Sequence, residues 1–250
     1  MQDTDAETTE TVNLIIPSFA ERCQSACAYE WEQAVRHPFV RALIQGDLEL
    51  ELFRFYQMQD ARYLEAYADT CSILSTRFAD PSDKLWFIDG ARLAIVVEQE
   101  LHSGYGEKLG YTPQDVADLD CSPNNVAYQN HMLQAAHRGS LIEALAALAP
   151  CPWLYTDIGQ RLIEELGGID DSHPYADWLR TYADPAFVQY TNDLLAIMER
   201  VASMHSGEVL DRAVKAFRQS VRYEWMFWEQ AWTLQDWPVR MPDTSDANTP

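Results

Sequence analysis

Cys151 lies between Pro150 and Pro152, at a point where the two prolines interrupt an otherwise helical pattern. Each proline lacks a backbone N–H and disfavours helical geometry in the residue before it, so we expect the preceding helix to end or kink there. The helical period resumes at Trp153, which puts the thiol near the start of the next helix. Free N–H groups and the positive end of the helix dipole would there lower the thiol pKa and favour a nucleophilic thiolate. The alternative is a buried structural cysteine at a proline kink.

A carboxylate stands within a stripe of tyrosines in the long helix predicted from residue 50 to about residue 78. Tyr56, Asp60, Tyr63 and Tyr67 follow one another at i, i+4, i+7 and i+11, which places them on one helix face. An acid in such a stripe indicates a hydrogen-bonding group at the bottom of an aromatic pocket. A solvated or salt-bridged carboxylate is the alternative interpretation.

A second carboxylate, Glu224, lies in the densest aromatic motif of the chain, RYEWMFWEQAW at positions 222–232. Glu224 shares a helix face with Phe227 and Trp228, whereas Glu229 points elsewhere and is expected to meet solvent. Glu224 is therefore the acid of this motif that faces an aromatic surface.

Glu98 and His102 are one helical turn apart and could bind a metal. A di-iron bundle needs a second Glu/His set, and none is evident among the six histidines. We therefore predict a structural or supporting pair at this place, and no metal site.

Every element that the pattern predicts is a helix. No segment alternates apolar and polar residues with a period of two, and there is no glycine-rich phosphate loop. Short loops join the helices, so the predicted fold is an all-α helical bundle. Residues 19–35 are expected to form one helix, and Asp47 and Ser206 are expected N-caps. Residues 13–238 are predicted to form a single all-α catalytic domain, with a disordered acidic segment at 1–12 and a flexible tail at 239–250.

The net charge of −21, from 39 acidic and 18 basic residues, argues against some classes of partner. Such a field repels nucleic acid and anionic membranes, because binding to phosphate backbones rests on basic clusters. Dense carboxylates with few lysines are also what a high-salt cytoplasm selects, which makes a halophilic habitat a hypothesis.

The remaining composition predicts a cytoplasmic globular protein. No apolar run approaches the roughly 20 residues that a membrane span needs. The acidic N-terminus lacks the basic and apolar regions of a signal peptide. Five cysteines at irregular spacing fit a reducing compartment and do not indicate a disulfide framework.

Four motifs occur together in the chain: HPFV at 37–40, FYQMQD at 55–60, ALAPCPWLY at 147–155 and YEWMFW at 223–228. Glu98 and His102 lie between the second motif and the third. In this combination the chain resembles the TenA family, also called thiaminase II or aminopyrimidine aminohydrolase, from about residue 19 to residue 237. The resemblance implies an all-α fold of the haem-oxygenase-like type and a homotetramer with a pocket inside each bundle. It also implies hydrolysis of 4-amino-5-aminomethyl-2-methylpyrimidine to the hydroxymethyl pyrimidine and ammonia, in salvage of the pyrimidine half of thiamine, which many members also cleave.

Site roles follow from the resemblance, residue by residue. Cys151 is the implied nucleophile, as in the cysteine-type branch of the family, and Glu224 the implied acid/base. Asp60 is expected to bind the polar edge of the pyrimidine. Tyr155 is implied to orient the cysteine end of the pocket, and Tyr63 and Tyr128 are implied to line the slot that binds the ring. Tyr182 is implied to form a hydrogen bond with Glu224. Neither a metal nor an organic cofactor is needed.

Two other classes of function remain open at this stage. A di-iron or cofactorless oxidase shares the fold type, and Glu98 with His102 is its only support in the sequence. A regulatory binding protein would need a nucleic-acid or protein surface, and the acidic charge disfavours the first of these.

Overall fold

The structure, a computed structural model, describes residues 12–239 except for the side chains of residues 97–103 and 162. Twelve helices and no strand occur within this range, which confirms the all-α prediction. The helices are α1 Ser18–Ser25, α2 Ala28–Val35, α3 Pro38–Gln45, α4 Leu50–Arg77, α5 Pro81–Leu109, α6 Pro113–Ala117, α7 Pro123–Arg138, α8 Leu141–Leu148, α9 Pro150–Leu166, α10 Ala176–Ala183, α11 Pro185–Ala202 and α12 Glu208–Trp232. The ends predicted to be disordered or flexible lie outside the described residues, apart from one residue each.

Three local predictions differ from the structure. The expected helix over 19–35 is divided in two, because Cys27 leaves the helical region with φ of −134°. The residue before α4 is Glu49 and not Asp47. Gly207, with φ of 55°, precedes α12 in place of the expected cap Ser206. A positive φ suits glycine, which lacks the Cβ that makes this region unfavourable.

Helices α4 and α5 form a long hairpin that carries the tyrosine stripe. Asp80 caps α5 by accepting a hydrogen bond from the Ser82 backbone N–H at 2.7 Å, and Pro81 occupies the first helical position. On α4, Tyr56, Tyr63, Tyr67 and Asp60 are all buried, because this face packs into the bundle.

The chain breaks between α8 and α9, as the prolines predict. The break differs in detail from the expectation, since Ala149 keeps helical dihedrals (φ −60°, ψ −33°). The missing N–H groups of the prolines, rather than an extended backbone, separate the two helices. Pro150 begins α9, which confirms the prediction that Cys151 lies near a helix start.

Gly159 on α9 permits a close approach of α10. A Cβ at this position would lie 2.8 Å from the carbonyl carbon of Tyr182, so any larger residue would push α10 away. This contact holds the Tyr182 backbone against the helix that carries Cys151.

The N-terminus of α3 is tied to α12 by a histidine. His37 Nδ1 accepts a hydrogen bond from the Phe39 backbone N–H at 3.1 Å, so the ring proton lies on Nε2, 3.0 Å from Glu229 Oε2. Burial lowers the pKa of His37, with Glu229 acting in the opposite direction. Glu229 is partly exposed, in agreement with the prediction that it meets solvent, and it also accepts this hydrogen bond.

Most buried apolar residues of the described range belong to one continuous core. Four tryptophans are fully buried in it: Trp31, Trp153, Trp178 and Trp228. None of the described helices is both long and apolar enough to cross a membrane.

Candidate active site

A cavity that opens to solvent lies among α4, α5, α9, α10 and α11. Four of the seven predicted site residues line it: Asp60, Cys151, Tyr155 and Tyr182. The other three, Tyr63, Tyr128 and Glu224, are not among its lining residues. They lie next to one another and influence Cys151 electrostatically, so all seven are gathered in one region of the bundle.

Cys151 is partly exposed toward this cavity, at the second position of α9. Burial of the thiol raises its pKa well above the usual value, and the nearby Glu224 and Asp60 carboxyls raise it further. A hydrogen bond with Tyr63 acts in the opposite direction. The sequence predicted a lowered thiol pKa from the helix N-terminus. Desolvation and two neighbouring acids oppose that effect here, because both disfavour the thiolate.

Glu224 is almost completely buried on α12. Burial raises the pKa of this carboxyl to about 8, the Tyr128 hydrogen bond lowers it, and Asp60 raises it. The Tyr128 hydroxyl donates to Glu224 Oε1 over 2.5 Å. A carboxyl with a pKa near neutrality can both accept and give a proton at physiological pH.

Tyr182 does not make the bond to Glu224 that the resemblance implied. The phenol that donates to Glu224 is Tyr128 on α7, whereas Tyr182 on α10 packs edge-on against Tyr155 and Trp178, with ring centroids 4.6 and 4.7 Å away. Tyr182 remains a wall of the cavity. The expected Tyr182–Glu224 hydrogen bond is therefore wrong, because another helix supplies the donor.

Tyr63 and Tyr128 pack against each other behind the reactive groups, with ring centroids 4.9 Å apart. The Tyr63 hydroxyl lies 3.3 Å from Met132 Sδ and also within hydrogen-bonding reach of the Cys151 thiol. These contacts put both phenols beside the thiol and Glu224; their role in lining a ring slot stays a prediction.

Asp60 lies at the junction between the cavity and the buried phenols. Its side chain is buried. Burial of Tyr56, Tyr155 and Tyr182 is the main reason that their pKa values are raised, and the nearby charge of Asp60 raises them further. Tyr56 and Tyr155 hydroxyls are 3.0 Å apart. This end of the cavity thus combines one acid with several neutral hydroxyl groups.

The opposite wall contains residues that the sequence reasoning missed. Tyr190 on α11 bonds to Tyr67 through their hydroxyls at 2.9 Å, and Phe187 lies beside it. Gly90 on α5 faces this pair, since a Cβ there would lie 3.3 Å from Tyr190 Oη. A glycine inside a long helix was the one available signal of such a close approach.

No group of three or more His, Cys, Asp or Glu side chains in the described part of the chain could hold a metal ion. Glu98 and His102 belong to α5, but their side chains lie outside the described residues. The oxidase alternative therefore gains no support from the described side chains.

A partly exposed thiol, a carboxyl whose pKa burial raises to about 8 and a second buried acid thus lie in one region with an aromatic cavity. These are the kinds of group that nucleophilic catalysis on a flat polar ring requires. The sequence model of the TENA/THI-4/PQQC family matches residues 25–234 of this chain. The chain therefore belongs to that family. It is 30% identical to an aminopyrimidine aminohydrolase of Bacillus subtilis over 220 residues, which cover 88% of this chain and 92% of that protein.

Solved structures agree on the fold. The TenA homologue from P. horikoshii OT3 superposes with a TM-score of 0.78 at 28% identity, over 86% of this chain and 98% of that one. A Shewanella denitrificans domain described as having a heme oxygenase-like fold superposes with a TM-score of 0.67 at 13% identity, over 86% of this chain and 92% of that one. The haem-oxygenase-like bundle is thereby confirmed.

Proposed function

We propose that this chain is an aminopyrimidine aminohydrolase of the thiaminase II type. Its substrate is 4-amino-5-aminomethyl-2-methylpyrimidine, which it hydrolyses to the hydroxymethyl pyrimidine in thiamine salvage. The observation that carries the proposal is the juxtaposition of Cys151 and Glu224 next to Asp60, in a chain related to proteins of that name. Residues 13–238 act as one catalytic domain in this proposal.

Binding rests on the match between a flat aromatic ring and the cavity. Asp60 accepts hydrogen bonds from the amino edge of the pyrimidine, since a carboxylate is the strong acceptor that an exocyclic amine needs. Tyr155 and Tyr182 form walls near the thiol, and Tyr63 and Tyr128 support the reactive groups and complete the ring slot. In this proposal Cys151 is the nucleophile, as in the cysteine-type branch of the family.

The first half of the reaction forms a carbon–sulfur bond. Cys151 Sγ adds to a ring carbon conjugated with the exocyclic methylene, and its proton passes to the Glu224 carboxylate. The electron pair on the ring then expels the exocyclic amine. The amine nitrogen takes the proton from Glu224 and leaves as ammonia.

The second half reverses these steps with water. Water adds to the exocyclic methylene carbon and gives a proton to Glu224. The electron pair returned to the ring breaks the carbon–sulfur bond, and the departing sulfur of Cys151 recovers that proton. The product is the hydroxymethyl pyrimidine, and both residues end in their starting protonation states.

A direct assay tests the proposed function. Purified protein is given the aminomethyl pyrimidine, with ammonia measured, and separately thiamine, with thiazole measured. We expect ammonia release that Cys151→Ser abolishes. Absence of turnover of both compounds, in protein whose circular dichroism shows the helical fold, would refute the function.

We further propose a cytoplasmic homotetramer adapted to high salt. The charge of −21 supports the salt adaptation, because 39 acids repel one another once screening is removed. We expect a lower melting temperature and a smaller mass by light scattering at about 0.05 M than at about 2 M salt. Equal melting temperature and mass at both concentrations would contradict the halophilic interpretation, and a constant mass other than four chains would contradict the tetramer.

A further inference from the structure

Ser220 joins the helix of the proposed acid to the helix that precedes the proposed nucleophile. It is completely buried on α12, and its hydroxyl donates to the Ala147 carbonyl on α8 over 2.7 Å. His131 Nε2 on α7 lies 3.1 Å from Ser220 Oγ and 3.2 Å from the Ala216 carbonyl. Burial lowers the pKa of His131, so the neutral ring offers this corner a single N–H donor.

These groups form a supporting layer one helical turn from the reactive layer. The same three segments, α7, α12 and the α8–α9 junction, supply one residue to each layer. The reactive layer holds Tyr128, Glu224 and Cys151, and the supporting layer holds His131, Ser220 and Ala147. A shift of α12 against α8 at the supporting layer therefore moves the carboxyl of Glu224 relative to the Cys151 thiol.

The proline break weakens the backbone hydrogen bonding of the segment that Ser220 contacts. In a continuous helix the residues at positions 150 and 152 would donate N–H groups to the carbonyls of Ala146 and Leu148. Both positions are proline, so the backbone around Cys151 lacks these bonds. The Ala147 carbonyl, which Ser220 contacts, lies between these two carbonyls. Its donor in a continuous helix would be the Cys151 N–H, which neither proline removes, so Ser220 adds a bond to the weakened segment.

Two hydroxyl groups contact the C-terminal side of the segment, one from α9 itself and one from α11. The Pro152 carbonyl accepts a hydrogen bond from the Thr156 hydroxyl at 2.8 Å, and the Thr191 hydroxyl on α11 lies 3.4 Å away. Cys151 thus stands between two sets of hydroxyl contacts. Only the Ser220 contact comes from the helix that carries Glu224.

We propose that Ser220, oriented by His131, is a positioning residue that sets the distance between the Cys151 thiol and the Glu224 carboxyl. The catalytic consequence rests on the proposed function. The structural part of the proposal, that Ser220 fixes the surroundings of the Cys151 thiol, does not depend on that function. Loss of the hydroxyl leaves the Ala147 carbonyl without this donor and frees α12 to shift, and misplacement of reacting groups by about 1 Å costs on the order of a hundredfold in rate.

The test compares Ser220→Ala with Ser75→Ala in the otherwise unchanged full chain. Ser75 is a matched control, because it is buried on α4 and its hydroxyl bonds only within its own helix, to the Ser72 carbonyl at 2.7 Å. We expect Ser220→Ala to lower kcat about tenfold or more with KM within about twofold of wild type. Ser75→Ala should keep kcat, even where its melting temperature falls as far. Ser220→Cys keeps a side-chain donor that is weaker and slightly larger than the hydroxyl, and should lie between.

A second measurement separates this proposal from the proposed function. Alkylation of Cys151 by iodoacetamide, followed by mass spectrometry of the peptide, reports the thiol environment without any substrate. We expect an altered rate in Ser220→Ala and the wild-type rate in Ser75→Ala. Absence of turnover in wild type would refute the function alone. A wild-type alkylation rate in both Ser220 variants, or an equal fall of kcat in Ser220→Ala and Ser75→Ala, would refute the positioning role.

Discussion

Cys151→Ser and Glu224→Gln are each expected to remove most of the turnover, and the double variant should be little slower than either alone. The two groups exchange one proton, so loss of either disables the same step. Serine is a weaker nucleophile with a far higher pKa, and glutamine keeps the shape of the carboxyl but has no transferable proton. We expect a loss of about 10²–10⁴-fold in kcat for Glu224→Gln and at least as much for Cys151→Ser. Single-turnover rates of the three variants measure this.

The pH profile provides an internal control for this pair. The Glu224 pKa of about 8 lies below the raised pKa of the Cys151 thiol. Between these two pKa values Glu224 is ionised while Cys151 keeps its proton. That form contains the carboxylate that accepts the thiol proton. The rate should therefore rise as pH increases through about 8 and fall only above the thiol pKa. Glu224→Gln should lose the rise near pH 8.

Additive losses in the double variant, or a near wild-type rate for Cys151→Ser, would refute covalent catalysis by this pair.

Alkylation identifies the thiol independently. Cys23, Cys27 and Cys71 are completely buried, so a haloacetamide does not reach them in the folded protein. Cys121 and Cys151 are the partly exposed thiols. We expect a haloacetamide to inactivate the protein through Cys151 and the pyrimidine to protect it. Inactivation that requires Cys121 would point to a different mechanism.

Asp60→Asn is expected to weaken substrate binding while the fold is kept. The amide is nearly isosteric, but it presents a donor on one side of a site that requires an acceptor. Loss of a hydrogen bond to a charged group is worth about 1.5–3 kcal/mol, which corresponds to a rise in KM of about 10- to 100-fold. Steady-state kinetics with the aminomethyl pyrimidine measure the change. Asp69→Asn, at an exposed position of the same helix, is the control and should keep the wild-type KM. A wild-type KM for Asp60→Asn would show that Asp60 does not contact the ring.

Much of the fold could be predicted because its signals are local. The absence of glycine and proline after residue 50 predicted α4 almost to the residue, and Pro81 occupies the first position of α5. Two prolines predicted a break at Cys151. Each feature acts through neighbours along the chain, whose geometry follows from steric limits and missing donors. The start of α12 was misplaced, because a glycine with positive φ occupies the position where a serine cap was expected.

In the site, too, the features that depend on residue type could be predicted from the sequence, whereas those that depend on contacts between helices could not. The sequence alone determined which residues are chemically able to act, Cys151, Glu224 and Asp60 among them, because residue type and motif carry that information. Only the tertiary structure decided that Tyr128, 96 positions from Glu224, donates to it in place of Tyr182. It also decided the pKa of the thiol, since desolvation depends on what other helices bring to the cavity and outweighs the local helix dipole. Ser220 could not be found from the sequence either, because a serine in mid-helix acquires a role only when another helix places a carbonyl within reach of its hydroxyl, here at 2.7 Å.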